Sequence, residues 1–393
     1  MIRFWRAHPL GVAVMLAASF RLAVFIFALV WPIAGEDGRV VSPRLLEQGV
    51  DMGYYTYSRQ ILFHGEHARA VERYLHFYGL SDNARPADEG TMIVSAPLFP
   101  TLLEVFAYDE ANTLPIAVAY LAMGLLLAIL WLRWMHAQGI GPMWLAVFAL
   151  LPNPVWLSLG ISTDLPFAFA VGLFFFAYER ADRGGNLWLP TLFAILAALT
   201  RGNGPILLIF LLLDRLRVGS LRRRADWPPL LVASGVLGLA GLYYLPEFTA
   251  FAGLGELDHR FDIAYFGIST NVFTAGLFPA LPGPLDRAIS IALLGGAKVL
   301  YFVGLRPSYW DIPLAFLVAR AAAGLVLLPG LLYAAVRGET RHKLLILLYL
   351  VPIALGTSLD RYNLAIFPLL FYYGVLAFYA LAARLRLRTA AIG

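Results

Sequence analysis

Ten side chains of this 393-residue sequence have types and positions suited to chemistry beside or within long apolar runs. They are two acids, three arginines, a lysine, a histidine and three tyrosines: Asp51, Asp164, Arg59, Arg201, Arg361, Lys298, His64, Tyr54, Tyr55 and Tyr362. An ionisable side chain near membrane depth is costly, so such residues are candidates for function by default. Half of the set falls in one short stretch, VDMGYYTYSRQILFHG, at residues 50–65.

Acids and arginines at one face of a membrane suggest the transfer of a group from a lipid-linked phosphate. Transfer to a hydroxyl needs a carboxylate that accepts the hydroxyl proton, and the departing phosphate needs cations that hold its charge. Arginine suits the second task because its planar fork binds phosphate oxygens in pairs. Tyrosines beside the acid can hydrogen-bond to a sugar or stack on it.

The composition sets the class of protein that must position these residues. The sequence is 60% hydrophobic and 14% charged, and its mean hydropathy of +0.72 exceeds what a soluble domain of this length could bury. The absence of cysteine excludes disulfides, thiolate metal sites and cysteine catalysis. The net charge of +5 is nearly all arginine and fits anionic lipid headgroups, with no nucleic-acid motif beside it. We therefore predict an all-α polytopic membrane protein.

Apolar runs of about 17 to 25 residues are long enough to cross the hydrocarbon core as helices. The clear candidates are 10–33, 114–133, 142–160, 164–178, 228–246, 313–336, 343–358 and 362–383, and the runs 187–213 and 288–305 are less simple. No small-residue cleavage site follows MIRFWRAH before the first run ends, so we predict a retained signal anchor. We expect about ten to twelve spans in one integral membrane domain, 1–393.

The arginines orient these spans, because cytoplasmic loops collect Lys and Arg. Arg3 and Arg6 place the N-terminus in the cytoplasm, so residues 34–113 form the first extracytoplasmic loop. Residues 247–312 form a second extracytoplasmic or re-entrant region. The candidate acids and arginines then lie at or near the extracytoplasmic face. Segment 66–92 reads as an amphipathic helix followed by a loop, and we expect such helices to lie on the membrane surface over the spans.

The run 187–213 has basic loops at both ends, so the chain must enter the membrane and return within it. It is too short for two full helices, at a rise of about 1.5 Å per residue. Its middle reads TRGNGP, which breaks a helix. We predict two half-crossings that meet at a polar turn carrying Arg201, buried in protein or lining a cavity.

Each candidate also has a structural interpretation. Asp51 and Asp164 stand where an N-cap would, and arginines such as Arg59 and Arg361 extend to headgroups at a membrane interface. Lys298 suits phosphate contact and interfacial placement equally, and His64 suits an exposed loop. We expect no required cofactor; a divalent metal held by Asp164 with Asp51 or His64 is the alternative.

Five segments carry a family resemblance: VDMGYYTYSRQILFHG, APLFPTLLEVF, LPNPVWLSLGISTDLPFAFAVGLFFFAYER, LAALTRGNGPILL and DRYNLAIFP. In order and character they resemble the GT-C superfamily of membrane glycosyltransferases, and within it the GPI-anchor mannosyltransferase II-like group and its bacterial relatives. The chain departs from that group's pattern at Val50, where a tryptophan is usual, and in having Asp rather than Glu at position 164. The resemblance is therefore to the superfamily, and a GPI acceptor is not carried over.

The resemblance implies a GT-C-like bundle that transfers a sugar with inversion from a polyprenyl-phosphate donor. The acceptor would be a hydroxyl of a lipid-linked or surface glycan, reached at the non-cytoplasmic face of a bacterial inner or plasma membrane. By the same resemblance, Asp51 matches the acid taken as general base and Asp164 the second acid. We assign Arg59, Arg201, Arg361 and Lys298 to the donor phosphate, and Tyr54, Tyr55, His64 and Tyr362 to the sugar or acceptor.

Two other classes of protein also handle lipid-linked sugars. An O-antigen-type polymerase or ligase would be expected to place its largest outer loop late in the chain, whereas the acid-bearing loop here follows the first span. A flippase or transporter tends to show internal repeats and a site near the bilayer midplane, and no repeat relates the two halves of this sequence.

Overall fold

The fold is helical, as the composition predicts. The computed structural model describes residues 8–30, 33–34, 40–41, 58–64, 96–107, 113–218, 223–253, 277–305, 314–355 and 360–392. Within these ranges, the only strands are Ile33–Ala34 and Val40–Val41, which pair antiparallel with Ile33 opposite Val41. The remaining elements are α-helices and short turns of 3₁₀ or π helix.

Thirteen α-helices are described, numbered here in chain order. The first seven are α1 Pro9–Val30, α2 Leu98–Val105, α3 Leu114–Ala137, α4 Pro142–Leu150, α5 Pro152–Leu159, α6 Asp164–Asp182 and α7 Trp188–Thr200. The other six are α8 Ile206–Val218, α9 Trp227–Gly253, α10 Gly283–Phe302, α11 Leu314–Arg337, α12 Thr340–Leu355 and α13 Phe367–Ile392. A π-helical turn covers Gln60–His64, and 3₁₀ helices cover Arg224–Asp226 and Asp360–Ala365.

Five of these helical segments are long and apolar enough to cross a membrane. They are Pro9–Leu29, Leu114–Ala137, Arg224–Tyr243, Leu317–Arg337 and Phe367–Leu385. These segments carry large exposed apolar side chains, such as Leu239 and Leu242 on α9 and Leu325 on α11, as helices that contact lipid do. The described part of the chain therefore fits a multi-pass, all-α membrane protein.

The structure corrects two of the predicted spans. Residues 142–160 form two short helices instead of one, because Leu151 is extended ahead of Pro152, as the residue before a proline prefers. The final span begins at Phe367 rather than at residue 362, since Asp360–Ala365 is a 3₁₀ helix. Tyr362 therefore lies in that 3₁₀ helix and not in the first turn of the span.

Contacts between Cα atoms divide the chain into two compact units, each built from separate stretches. Unit 1 comprises Met1–Leu16, Ile129–Pro154 and Thr249–Gly393; unit 2 comprises Ala17–Ala128 and Val155–Phe248. In unit 1, α11 packs along α13 and α10 packs along α12. In unit 2, α7 packs against α6, α8 and α2.

Candidate functional site

Asp164 begins α6, directly after the short bend at residues 161–163. Its side chain is 3% exposed. Thr163 occupies the N-cap position and makes no side-chain capping bond, so Asp164 is the first residue of the helix rather than its cap. A carboxylate in the first turn is stabilised by the positive end of the helix dipole. Burial of such a group also requires specific partners.

Arg201 supplies the main partner. The run predicted to break does break: α7 ends at Thr200, Arg201 is extended, and α8 begins at Ile206. From that turn, Arg201 Nη1 donates to Asp164 Oδ1 and forms an ion pair with it. The Arg201 side chain is 11% exposed, and its guanidinium carbon lies 6.0 Å from the centre of the Phe167 ring. The structure thus joins two residues that the sequence analysis selected separately.

Ser162 holds the carboxylate from the other side, and Tyr120 in turn holds Ser162. The Ser162 hydroxyl lies 3.1 Å from Asp164 Oδ2, to which it donates, and its oxygen accepts the Asp164 backbone N–H at 3.2 Å. The Tyr120 hydroxyl, on α3, donates to the Ser162 carbonyl. One turn along α3, a β-carbon on Gly124 would lie 3.2 Å from Ser158. Helix α3 therefore supports the turn that presents Asp164.

A second set of charges marks the opposite end of the same helices. Near the end of α6, Tyr178 donates to Asp214 of α8, and Asp182 Oδ1 lies 3.6 Å from Arg215 Nη2. Arg217 donates to Asp214 Oδ1 from Nε at 2.9 Å and from Nη2 at 2.6 Å. Tyr178 and Asp182 follow Asp164 on α6 by a distance of about 21–27 Å at about 1.5 Å per residue, so the two sets of charges lie at opposite ends of this helix.

Glu104 of α2 contacts two residues of the 50–65 stretch, Arg59 and His64. Its Oε2 accepts a hydrogen bond from Arg59 Nε at 2.6 Å and lies 3.3 Å from His64 Nε2. The bond from Arg59 holds the pKa of Glu104 below its ordinary value, with a smaller contribution from His64. Because an ionised carboxylate only accepts, His64 Nε2 carries the proton in this pair. His64 ends the π-helical turn and is 46% exposed.

Lys298, Arg361 and Tyr362 belong to unit 1. Lys298 lies on α10 and is fully buried in the protein. Arg361 and Tyr362 lie in the 3₁₀ helix Asp360–Ala365, which packs against α10.

Two side-chain donors close the end of α10 in this unit. Arg320 Nη2 donates to the Tyr301 carbonyl at 2.9 Å, and Asn363 Nδ2 donates to the Phe302 carbonyl at 3.0 Å. Carbonyls in the last turn of a helix have no intrahelical partner. Arg320 and Asn363 are therefore explained as caps.

Three predicted residues, Asp51, Tyr54 and Tyr55, lie outside the described residues, as does segment 66–92 with its predicted surface helix. Among the residues that are described, no group of three or more His, Asp or Glu side chains could hold a metal ion. Asp164, the acid named as a possible metal ligand, forms an ion pair with Arg201.

Glu104 and Tyr120 are the residues that the sequence analysis missed. Glu104 is the one acid in APLFPTLLEVF, and an acid isolated in an apolar segment beside an arginine-bearing stretch was a usable signal. Tyr120 is one tyrosine within an apolar span, and nothing in the sequence separates it from an interfacial aromatic. Compared with known proteins, the chain matches no protein-family model, no curated protein sequence and no solved structure.

Proposed function

We propose that this chain is an inverting glycosyltransferase of the GT-C type. It moves a sugar from a polyprenyl-phosphate donor to a hydroxyl of a lipid-linked or surface-glycan acceptor, at the extracytoplasmic face of a bacterial inner or plasma membrane. The observation that carries the proposal is the buried Asp164–Arg201 pair at a helix break. Irregular backbone at membrane depth is tolerated only where it is buried in protein or lines a cavity, and ionisable residues at that depth are candidates for function by default.

The distribution of charge along α6, α7 and α8 supports the assignment of this pair to the extracytoplasmic face. The end of the three helices opposite Asp164 carries Arg180, Arg183, Arg215 and Arg217 in or beside the connecting loops. By the positive-inside rule that end faces the cytoplasm. Asp164 and Arg201 then face the other side, where a lipid-linked donor reaches them from the outer leaflet.

In the proposed reaction, the acceptor oxygen attacks the anomeric carbon opposite the phosphate. A bond from that carbon to the acceptor forms while the bond to the phosphate oxygen breaks, which inverts the anomeric centre. The acceptor proton passes to a carboxylate, for which Asp51 is the candidate, and polyprenyl phosphate leaves with the electron pair. Arg201 stabilises the charge that develops on the leaving phosphate, which is where a preorganised cation contributes most.

The contacts of Asp164 favour a role other than proton acceptor. Both of its carboxylate oxygens already accept hydrogen bonds, one from Arg201 and one from Ser162. A general base must lie within reach of the proton it removes, and this carboxylate is occupied and 3% exposed. We assign Asp164 to orienting Arg201, which leaves Asp51 as the base.

The experiment uses the purified chain in lipid vesicles with a panel of polyprenyl-phosphate hexoses and pentoses labelled in the sugar. Acceptor lipids are supplied as a bacterial envelope lipid extract. A transferase consumes the donor and releases polyprenyl phosphate, and Arg201→Gln should slow this by about 10²- to 10³-fold, as the loss of one preorganised donor does. Arg217→Gln, at the opposite end of the three helices, is the matched control.

The rival functions give different products. A flippase or transporter would move the intact labelled donor across the bilayer without breaking its sugar–phosphate bond. A polymerase would yield chains of increasing length. Either outcome, or full activity of Arg201→Gln, contradicts the proposal.

A further inference from the structure

We propose that the start of α9 binds the headgroup of an anionic phospholipid. The binding surface consists of Arg223, Arg224 and Trp227, and it continues into the exposed apolar face of α9. By the positive-inside rule this end of the helix faces the cytoplasm, so the lipid belongs to the cytoplasmic leaflet. The surface lies apart from Asp164 and Arg201, and its role does not depend on sugar transfer.

The arginines at this end of unit 2 fall into two classes. Three of them form ion pairs with acids of the same unit: Arg217–Asp214 at 2.6 Å, Arg215–Asp182 at 3.6 Å and Arg183–Glu179 at 3.7 Å. Arg223 and Arg224 are exposed, and within the residues that the structure describes neither side chain forms an ion pair or a hydrogen bond. Two adjacent guanidinium groups can therefore bind an anion from outside the protein.

The local backbone keeps the nearest acid away from these two cations. Arg223 is extended and precedes the 3₁₀ helix Arg224–Asp226, and the Asp226 backbone N–H donates to the Arg223 carbonyl at 3.0 Å. Asp226 is 7% exposed, so its side chain lies within the protein. Across residues 223–227 the exposed surface therefore carries two positive charges and no negative charge.

Helix α9 extends this surface as an apolar face. Trp227 and Leu231, one turn apart, are both exposed, and so are Leu239 and Leu242 further along the same helix. The distance from Trp227 to Leu242 is about 22 Å at about 1.5 Å per residue, which exceeds half of a hydrocarbon core about 30 Å thick. Cations at the end of an apolar face of this length match a phospholipid, whose charged headgroup lies at the end of its acyl chains.

The charge of the surface favours an anionic headgroup over a zwitterionic one. Arginine binds phosphate oxygens through its planar fork, and both kinds of phospholipid have a phosphate. In phosphatidylcholine the choline cation cancels the phosphate charge, whereas phosphatidylglycerol keeps it. Each arginine near the membrane surface should favour the anionic lipid by about fivefold.

The test uses Trp227 as a local probe, because bromine on a lipid acyl chain quenches tryptophan fluorescence only at short range. The full-length protein is reconstituted in vesicles of phosphatidylcholine and phosphatidylglycerol, with bromine on one lipid or the other in matched samples. The chain has nine tryptophans, so the signal of Trp227→Phe is subtracted to isolate Trp227. Phosphatidylglycerol should show a relative binding constant at least about fivefold above that of phosphatidylcholine.

Salt and a second tryptophan provide controls on the parent protein. At about 1 M salt the Debye length falls to about 3 Å, so the preference at Trp227 should weaken. Trp188 begins α7 at the same end of unit 2 and is 46% exposed, compared with 45% for Trp227. The signal of Trp188, isolated in the same way with Trp188→Phe, should show no comparable preference.

Two double variants assign the preference to the arginines. Arg223→Gln with Arg224→Gln should abolish it at Trp227. Arg183→Gln with Arg217→Gln removes the same total charge from arginines that are exposed but paired, and this variant should keep the preference.

Three outcomes would overturn the proposal. The first is equal quenching of Trp227 by the two lipids in the parent, and the second is an unchanged preference in the Arg223→Gln, Arg224→Gln variant. The third is the absence of quenching by either lipid, which would show that another protein surface, such as a second copy of the chain, covers the start of α9. None of these results bears on the proposed sugar transfer.

Discussion

Gly204 packs directly against the backbone carbonyl of Ala197, so the turn between α7 and α8 closes on the last turn of α7. A β-carbon at position 204 would overlap that carbonyl, and the overlap is with backbone, which cannot rotate aside. The turn also carries Arg201, three residues earlier. The close approach of Gly204 to Ala197 therefore helps to fix the position of the Arg201 guanidinium at the candidate site.

We expect Gly204→Ala to displace the turn and with it the Arg201 guanidinium. Overpacking of this kind costs about 1–3 kcal/mol, and a small misplacement of a catalytic group costs up to about 10²-fold in rate. Melting temperature and sugar transfer should both fall. The control is Gly241→Ala on α9, where an added β-carbon meets no atom within 4 Å; an equal loss in that variant would count against the steric explanation.

Two glycines hold α11 and α13 close together. A β-carbon on Gly330 would overlap the carbonyl of Leu370, and one on Gly374 would overlap the carbonyl of Val326. Small residues that let helix backbones approach are a principal source of packing in membrane proteins. We expect Gly330→Ala and Gly374→Ala each to lower stability by about 1–3 kcal/mol, measured as the denaturant midpoint in mixed micelles.

The control for these glycines is Gly296→Ala on α10, which meets no atom within 4 Å. Because alanine has the higher helix propensity, this change should be neutral or stabilising, by up to about 1 kcal/mol. If all three variants unfold at the same denaturant concentration, the close approach of α11 and α13 is not essential to the packing of unit 1.

The sequence was sufficient for features that depend on local chemistry. The break at TRGNGP follows from two glycines and a proline, and the structure confirms it at residues 201–205. It was insufficient where a local preference opposes a longer apolar pattern. The apolar pattern is continuous over 142–160 and predicted one helix. The helix is interrupted between Leu150 and Pro152 because the residue before a proline prefers an extended backbone.

The pairing of charges was the larger difficulty. Asp164 and Arg201 were both selected as unusual charges, but they are 37 positions apart in sequence. They form an ion pair only because α6 and α7 pack antiparallel. Glu104 accepts a hydrogen bond from Arg59, 45 positions away in sequence, and no rule of sequence spacing predicts a contact at that separation. Periodicity reports which face of a helix is apolar, and it does not report which polar groups meet at the helix ends.

The Glu104 cluster predicts a dependence of stability on pH. The folded-state pKa of Glu104 is lowered from 4.5, chiefly by the hydrogen bond from Arg59. A lowered carboxyl pKa means that the folded state binds fewer protons than the unfolded state, so stability is present above the unfolded pKa and is lost as the pH falls through the folded one. Packing of α2 should therefore weaken below about pH 4.5.

Glu104→Gln should remove this acid-dependent part. The variant should melt below the parent at pH 7, and the two curves should converge as the pH is lowered through the region where Glu104 is protonated. The measurement is melting temperature against pH, with Glu339→Gln as a control for the loss of one exposed carboxylate. A constant difference between parent and Glu104→Gln at every pH would show that the side chain acts by packing rather than by charge.

The last prediction concerns Asp51, the acid of VDMGYYTYSRQILFHG. If it accepts the proton of the acceptor hydroxyl, Asp51→Asn keeps its shape and loses the reaction, because an amide cannot take the proton. Loss of a general base costs on the order of 10²- to 10⁴-fold in rate.

The alternative is that Asp51 caps a helix, where asparagine serves about as well as aspartate, so the capping role predicts a variant with normal transfer. The two roles are separated by labelled-sugar transfer and melting temperature on purified parent and Asp51→Asn, with binding of the polyprenyl-phosphate-sugar donor as a third measurement. Lost transfer with unchanged melting and unchanged donor binding identifies the base. Near-normal transfer would exclude Asp51 and return that role to Asp164. Its Oδ1 would then have to be freed when a donor phosphate takes its place on the Arg201 guanidinium.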